Sequence, residues 1–239
     1  MQRDLSTIAR VHDQSNVQRL LAGVAAISGS LLSADRLSRD LGLAANTLRS
    51  HVDLLETLFL VTRLAPWHSN RLSRVVKTPK AYITDTGLLT YLLGVDERRL
   101  AGGGEPVGSV AETFVVDELQ RQSRWQPDPP ALFHYRDRES REVDVVLERR
   151  DGSIAGVEVK AAASATPRDF RGLRYLRDKL GTRFKAGVLL YTGETTVPFG
   201  DRLAAVPLGA CGRNGQRKVA ACRSSRSRAS ASTGTSTLS

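Results

Sequence analysis

Cysteine is scarce in this chain, with only Cys211 and Cys222 among its 239 residues. Two cysteines make no disulfide framework, and no histidine stands near them at the spacing of zinc ligands. We therefore interpret both as incidental residues of a tail, and we expect neither a disulfide scaffold nor a zinc site.

Long hydrophobic runs are also absent. No stretch approaches the roughly 18–20 uninterrupted apolar residues that a membrane-spanning helix needs. The first residues, Met1 to Asp4, lack the apolar core of a signal peptide. We therefore expect a cytoplasmic protein without a membrane partner.

The chain lacks the phosphate-binding loop of ATPases. Residues 101–106 are rich in glycine but are not followed by Lys-Ser or Lys-Thr, and the pattern G-x-x-x-x-G-K-[ST] occurs nowhere else. We expect no ATP site in this chain. By composition, residues 101–106 are a linker between a domain at 1–100 and a second domain at 107–208.

Positive charge is abundant but unevenly placed. The formal net charge of +10 suggests a polyanionic partner such as nucleic acid. Six basic residues and no acidic ones follow position 210, so residues 1–210 keep a formal charge of only +4. Residues 209–239 are rich in Ser and Arg without apolar periodicity, which predicts a disordered basic tail, either natural or produced by a change of reading frame.

Residues 1–100 have the apolar spacing of helices. One stripe at helical spacing consists of Val17, Leu20, Leu21 and Val24. A short helix is predicted to begin at Ser33 and to end at Gly42, and a second helix covers about residues 44–58. Two helices joined by a short turn with glycine are the signature of a helix-turn-helix.

The second of these helices is predicted to have one buried and one exposed face. Its core-facing residues are Leu48, Val52 and Leu55. The exposed residues, at the end where a recognition helix contacts base edges, are Asn46, Thr47, Arg49 and Ser50.

Two extended runs follow, at 58–64 and 80–83, and the loop between them carries Arg71, Arg74 and Lys77. This pattern predicts a winged helix whose basic wing contacts DNA phosphates. Winged helices also serve as packing or protein-contact modules, so both interpretations stay open. Asp85 is predicted to cap the next helix.

From Val107 onward the pattern changes to helix, three strands, helix and strand, as in a nuclease-type αβββαβ core. The hairpin around residues 150–152 decides which residues of its two strands face each other. A two-residue turn would place Asp144 opposite Val159, whereas a three-residue loop places Asp144 opposite Glu158, on the same face. The longer loop requires a left-handed residue, which Gly152 supplies. The sequence therefore favours the register that brings the two carboxylates together.

Two neighbouring carboxylates repel each other unless a cation or a proton lies between them. A hard divalent ion such as Mg²⁺ suits Asp144 and Glu158 because it prefers oxygen ligands. Lys160, beside them, is placed to orient or deprotonate a water molecule or to stabilise the charge that develops on the phosphate, and Glu112 approaches from the first helix of the domain. This set predicts metal-assisted phosphodiester hydrolysis. The competing interpretation is an exposed hairpin with an ordinary Glu–Lys pair.

The order of several motifs resembles a known family. These motifs are Arg3-Asp4-Leu5, the helix-turn-helix segment, Val76-Lys77-Thr78-Pro79-Lys80, Asp85-Thr86-Gly87-Leu88, Glu142-Val143-Asp144 and Val157-Glu158-Val159-Lys160. Over about residues 2–208 the chain resembles the C-terminal region of prokaryotic AAA-type ATPases of the archaeal type.

That resemblance implies a winged helix followed by a PD-(D/E)xK nuclease-like domain, which has the restriction-endonuclease-like fold. It also implies that Asp144, Glu158 and Lys160 occupy the acid, acid and lysine positions of that superfamily, and that Glu112 is its helical glutamate. Members of the family carry an ATPase domain before this region, and here the chain starts at about the junction. We therefore expect an AAA-type ATPase to act in trans, or the chain to be a truncated remnant.

Three functional hypotheses follow. The first is a DNA-associated protein with a nuclease-like fold and, as its activity, Mg²⁺-dependent endonucleolytic cleavage. The second is a non-catalytic DNA- or protein-binding accessory module of an ATPase. The third, a transcriptional regulator, rests on the helix-turn-helix alone and predicts a discrete operator footprint.

Overall fold

The structure, a computed structural model, describes residues 14–69, 78–104 and 106–211. Over these ranges the chain is a mixed α/β protein, with a helical first part and a six-stranded mixed sheet in its second part. None of the helices in the described ranges is long and apolar enough to cross a membrane. The predicted wing residues Arg71, Arg74 and Lys77 lie outside the described residues, and so do residues 212–239 of the tail that was predicted to be disordered. The first residues of that predicted tail, 209 and 210, instead belong to a 3-10 turn (Leu208–Ala210).

The first part begins with three helices, α1 (Gln14–Ala26), α2 (Ala34–Leu41) and α3 (Ala45–Thr57). As predicted, α2 begins just after Ser33 and ends at Gly42; the Ser33 side chain caps the helix, and Gly42 has a left-handed conformation with φ of 65°. The predicted apolar faces of α1 and α3 are both buried, which confirms the helical spacing for Val17, Leu20, Leu21, Val24, Leu48, Val52 and Leu55.

A small antiparallel sheet follows, made of β1 (Ser30–Leu31), β2 (Val61–Leu64) and β3 (Lys80–Ile83) in the order β1-β3-β2. The strand β2 is shorter than the predicted 58–64 because Phe59 takes a left-handed conformation, with φ of 56°, just after α3. The bounds of β3 are those predicted, and all four of its residues are buried. The central strand of this sheet therefore buries a lysine.

Two short helices complete the first part, α4 (Thr86–Leu93) and α5 (Glu97–Ala101). The Asp85 side chain accepts a hydrogen bond from the N–H of Leu88 at 2.7 Å, which confirms the predicted cap.

The second part contains α6 (Val107–Arg124), β4 (Ala131–Arg136), β5 (Glu142–Glu148) and β6 (Ile154–Lys160). A 3-10 turn (Pro167–Phe170) then leads into α7 (Arg171–Leu180), and a second 3-10 turn (Gly181–Arg183) into β7 (Phe184–Tyr191). The chain ends its described part with β8 (Val197–Pro198), β9 (Leu203–Pro207) and a 3-10 turn (Leu208–Ala210). Up to β7 this is the predicted order of helix, three strands, helix and strand.

The six strands form one sheet in the order β4-β5-β6-β7-β9-β8. The β4–β5 and β5–β6 pairs are antiparallel, the β6–β7 and β7–β9 pairs are parallel, and β8 runs antiparallel to β9. Leu173 of α7 packs in one core cluster with Val146 of β5, and Val115 of α6 packs in another with Val145. The sheet therefore lies between α6 and α7.

The two parts of the chain share backbone and core contacts. The N–H of His134 in β4 donates to the carbonyl of Ala65 at 2.9 Å, and the N–H of Trp67 donates to the carbonyl of His134 at 2.6 Å. Tyr82 of the small sheet packs in the same cluster as Val115 of α6. These contacts hold the centre of the small sheet against the second part of the chain.

Candidate functional site

The turn between β5 and β6 has the predicted three-residue form. Gly152 has φ of 78°, and the N–H of Arg149 donates to the carbonyl of Ser153 at 3.0 Å. The pairs from Glu148–Ile154 to Val145–Val157 all follow the predicted register. One step beyond the last pair, Oδ2 of Asp144 accepts a hydrogen bond from the N–H of Val159 at 3.0 Å. The hairpin thus brings Asp144 beside Glu158 at the end of its paired region.

A β-bulge in β5 determines the side of the sheet on which the Asp144 side chain lies. Phe133 of β4 pairs with Val146, and Tyr135 pairs with Val143, so two residues of β5, Asp144 and Val145, face a single residue of β4. An added residue in one strand interrupts the alternation of side chains. Val143 and Val145 accordingly pack in different core clusters, although regular alternation would place them on one face.

The ammonium group among the acidic residues belongs to Lys80 of β3. Its Nζ lies 2.7 Å from Oε1 of Glu142, 2.8 Å from Oε1 of Glu112 and 3.1 Å from Oδ1 of Asp144. Lys80 is only 2% exposed, so these ion pairs are desolvated. Tyr82, on the same strand, donates its hydroxyl to Oε1 of Glu112 at 2.7 Å. A lysine of the small sheet is therefore held by carboxylates of the second part.

A cavity of about 560 Å³ opens at this point. Four carboxylates line it, those of Glu112, Glu142, Asp144 and Glu158, which we call the carboxylate cluster. Lys80, Lys160 and Arg136 contribute to the same wall.

The carboxylate cluster carries more negative charge than Lys80 balances. Burial raises the pKa of Glu112 to about 7, with a further contribution from the charge of Asp144, while Lys80 opposes the shift. Burial and the charge of Asp144 also raise the pKa of Glu158 well above its ordinary value. Burial alone would lower the pKa of Lys80, but the surrounding carboxylates, Asp144 foremost, raise it above the usual lysine range.

The Oε2 atom of Glu158 is the least satisfied atom of the carboxylate cluster. It is buried, and it has no hydrogen-bond partner among the described residues. A buried carboxylate oxygen without a donor is costly unless it carries a proton or contacts a cation. A proton on Glu158 or an additional cation would relieve this cost.

Lys160 lines the same cavity as Asp144 and Glu158, but its side chain pairs with a residue outside the carboxylate cluster. Its Nζ lies 3.5 Å from Oδ1 of Asp169, and its side chain is 51% exposed. Lys160 is the last residue of β6, and the 3-10 turn that carries Asp169 begins seven residues later. Its side chain is therefore paired at the rim of the cavity, while Lys80 supplies the central ammonium.

The oxygen donors of the carboxylate cluster suit a hard divalent cation. Among the described residues no three acidic, histidine or cysteine side chains stand arranged around a common metal position. Three of the four carboxylates direct an oxygen toward Lys80 instead. The buried Oε2 of Glu158 and the neighbouring carboxylate of Asp144 are the groups that fit a second cation.

The exposed face of α3 is as predicted, since all four residues assigned to DNA contact are exposed: Asn46, Thr47, Arg49 and Ser50. Arg49 donates to Oδ1 of Asn46 at 3.3 Å and lies 4.0 Å from Asp35 of α2. Asp53 and Glu56 lie further along α3 and both pair with Arg63. Because acidic and basic groups are mixed there, this face is not strongly cationic.

The roles of Lys80 and Glu142 were not predicted from the sequence. A lysine in a strand of otherwise apolar residues is a weak signal of a buried ion pair, because lysine is seldom buried without partners. Glu112 and Asp144 follow Lys80 by 32 and 64 residues, so no local spacing reveals the contact.

The fold and the site define a mixed α/β protein in which a lysine of one sheet is buried among carboxylates of the second part. Residues 107–211, which include the whole carboxylate cluster, match a family described as a domain of unknown function (DUF4143). Residues 1–99, which include Lys80, match a second family with the same description (DUF8612).

Two relatives are uncharacterized proteins of Mycobacterium bovis and Mycobacterium tuberculosis. Each is 32% identical to this chain over 207 residues. The similarity covers 87% of the chain but 45% of each relative, so the chain spans less than half the length of these proteins. No solved structure matches the chain.

Proposed function

We propose that the chain is a DNA-associated protein with a nuclease-like fold, and that its carboxylate cluster supports metal-dependent phosphodiester hydrolysis. In this proposal the first part is a winged helix, and the αβββαβ order of the second part is that of a restriction-endonuclease-like core. The fold alone does not specify an activity, so the chemistry of the cavity carries the proposal.

One observation supports hydrolysis above all others. Four carboxylates and one buried ammonium share a single cavity, and Oε2 of Glu158 is left without a donor among the described residues. This excess of negative charge favours the entry of a divalent cation at Asp144 and Glu158.

The side chains have distinct tasks in this proposal. Mg²⁺ held by Asp144 and Glu158 would polarise a phosphate oxygen and acidify a bound water. Lys80 and Tyr82 hold Glu112 in place through short hydrogen bonds. Lys160, half-exposed at the rim, stabilises negative charge that develops on the phosphate.

The experiment is a nicking assay on supercoiled DNA with the purified chain, with Mg²⁺ or Mn²⁺ and with a chelator. We expect cleavage only with the divalent ion, and we expect Asp144→Asn and Glu158→Gln to lower its rate by about 100-fold or more. Calorimetric titration of Mn²⁺ provides a readout apart from activity, and both variants should bind the ion more weakly.

The matched control is Glu118→Gln, which removes a carboxylate of the same helix as Glu112 at a position outside the cavity. Glu118 pairs with Arg121 and Gln122, so this variant should cleave and bind Mn²⁺ like the parent chain. Cleavage that survives Asp144→Asn unchanged would remove the carboxylate cluster from the reaction.

A second candidate function is favoured by the position of Lys80. Its ammonium already lies within 3.1 Å of three carboxylates and supplies a cation without any metal. On this basis the carboxylate cluster is structural, and the chain is a non-catalytic DNA- or protein-binding accessory module of an AAA-type ATPase that acts in trans.

The two candidates predict different results. The accessory module shows no cleavage with any divalent ion, but it binds DNA in a salt-sensitive manner or co-purifies with an ATPase. An open reading frame with a phosphate-binding loop immediately upstream in the genome would identify that ATPase. Cation-dependent nicking that Asp144→Asn abolishes would exclude the second candidate.

A further inference from the structure

The excess of basic over acidic residues in positions 1–210 is concentrated in one short segment. Residues 167–185 carry seven basic and two acidic side chains, whereas the remainder of residues 1–210 carries 22 basic and 23 acidic ones. This segment, which covers the first 3-10 turn, α7, the second 3-10 turn and the start of β7, therefore carries a larger net positive charge than the rest of residues 1–210 together.

Both acidic residues of this segment are already engaged. Asp169 accepts hydrogen bonds from the backbone and hydroxyl of Thr166 and pairs with Lys160. Asp178 pairs with the adjacent Arg177 at 2.9 Å. Within the described ranges, none of the ion pairs involves the remaining arginines at the start of the segment, Arg168, Arg171 and Arg174.

Two of these arginines are fixed in position without losing charge. Arg171 donates to the carbonyl of Glu139 at 3.1 Å, and Arg174 donates to the carbonyl of Pro167 at 2.6 Å. A carbonyl orients a guanidinium group but does not neutralise it, and each guanidinium keeps further donors for an anion. The two side chains thus present pre-oriented positive charge to solvent.

The three arginines stand three residues apart, in a row along the first 3-10 turn and α7. Residues three apart on a helix are neighbours, about 5–6 Å between β-carbons. Arg168 lies next to Asp169, whose carboxylate is 3.5 Å from Nζ of Lys160 in the cavity wall. From there the row continues through Arg171 and Arg174 along α7. We call Arg168, Arg171 and Arg174 the arginine row.

We infer that the arginine row is a binding site for the phosphate backbone of a nucleic acid that reaches the carboxylate cavity. The inference rests on the proposed function, because it names how the substrate of that site is held. It places the main phosphate contacts on α7 rather than on α3, where acidic and basic side chains are mixed.

Nucleic acid fits the arginine row better than an acidic polypeptide does. A DNA duplex offers one negative charge per about 1.7 Å of its axis, a regular density that a row of closely spaced cations can match. Arginine binds phosphate and carboxylate groups alike through two parallel N–H groups, so the regular spacing of the phosphates is the feature that favours nucleic acid. An acidic protein surface is therefore the competing outcome of the test.

The experiment measures binding of the full chain to a labelled DNA duplex of arbitrary sequence, in chelator, over a series of salt concentrations. The test variant is R168Q/R171Q/R174Q. The control is R98Q/R99Q/R124Q, which removes the same charge from exposed positions on α5 and α6. We expect the test variant to bind the duplex at least about tenfold more weakly than the parent chain. The slope of log K against log salt concentration should become shallower by about 0.9 for each phosphate contact removed.

A third variant, R168K/R171K/R174K, separates charge from local structure. It weakens the hydrogen bonds to the two carbonyls but keeps the positive charge, so it should retain most of the affinity and the salt slope. Thermal unfolding of each variant identifies any loss of the folded state.

Three outcomes would overturn the inference. The test and control variants could lose affinity equally, or the test variant could keep its salt slope. With polyglutamate as a second probe, the test variant could also lose affinity for polyglutamate while it keeps its affinity for the duplex. Because binding is measured in chelator, absence of cleavage does not affect this result. Nicking that continues unchanged in R168Q/R171Q/R174Q would leave the proposed function intact and remove the arginine row.

Discussion

At the scale of single residues, Asp117 of α6 shows what an unbalanced buried charge does. It is 5% exposed, and its Oδ2 has no hydrogen-bond partner among the described residues. Burial raises its pKa to about 7, although Arg121 opposes the shift. Because the folded state then binds a proton that the unfolded state releases at about pH 4, stability is lost as the pH rises from about 4 to about 7.

We therefore predict that Asp117→Asn removes a pH-dependent part of the free energy of unfolding. The difference between the parent chain and the variant should change by on the order of 2–4 kcal/mol between pH 4 and pH 7, in favour of the variant at high pH. Urea unfolding at several pH values measures it. Glu97→Gln, which removes an exposed carboxylate of α5 that does not contribute to the pKa of Asp117, is the control and should keep the pH dependence that Asp117 causes. If the free energy of unfolding changed with pH in the same way for Asp117→Asn and the parent chain, the prediction would be contradicted.

The carboxylates of Asp144 and Glu158 could be placed together from the sequence, whereas Lys80 could not. A three-residue turn with a left-handed glycine is local chemistry, and it fixes the register of the hairpin. The contact of Lys80 depends on how two sheets meet, which no local pattern encodes.

At the scale of elements, α7 packs unusually close to β5. A β-carbon on Gly172 would lie 1.9 Å from the carbonyl oxygen of Glu142 and 3.0 Å from Cγ2 of Val143. Only a residue without a side chain allows this approach. The backbone of α7 therefore contacts β5 directly, just before the bulge that orients the Asp144 side chain.

We predict that Gly172→Ala forces α7 away from β5 and destabilises the fold by about 1–3 kcal/mol. Gly108→Ala is the matched control, because no heavy atom lies within 4 Å of its added β-carbon. Alanine in α6 should stabilise by up to about 1 kcal/mol. Thermal and urea unfolding of both variants provide the comparison, and equal stabilities would show that α7 adjusts freely.

The sequence predicted most elements but not their irregularities. The start of α2 at Ser33, the cap at Asp85 and the bounds of β3 were correct because capping and apolar spacing act locally. The bulge at Asp144 was not predicted, since it follows from pairing with β4 rather than from the residues of β5.

At the scale of the whole molecule, Lys80 joins the two sheets. We predict that Lys80→Met lowers the free energy of unfolding by about 3–5 kcal/mol at neutral pH, because it leaves buried carboxylates without their ammonium. Acid should restore part of the loss, since protonated carboxyls need no cation.

Lys160→Met is the control for that prediction. Lys160 pairs with Asp169 at the surface, where an ion pair contributes about 0–1 kcal/mol. The free energy of unfolding, measured with urea, should therefore fall much further in Lys80→Met than in Lys160→Met. Equal and small effects would show that Lys80 contributes little to holding the sheets together.

The position of Lys80 in the chain also has a consequence for biosynthesis. Its strand leaves the ribosome before α6 and β5, which carry three of its partners, so the nascent small sheet contains an ammonium that must stay hydrated. The centre of that sheet can lose its bound water only after α6 and β5 have been synthesised and pack against it. The first half of the protein therefore matures only after the second has been made.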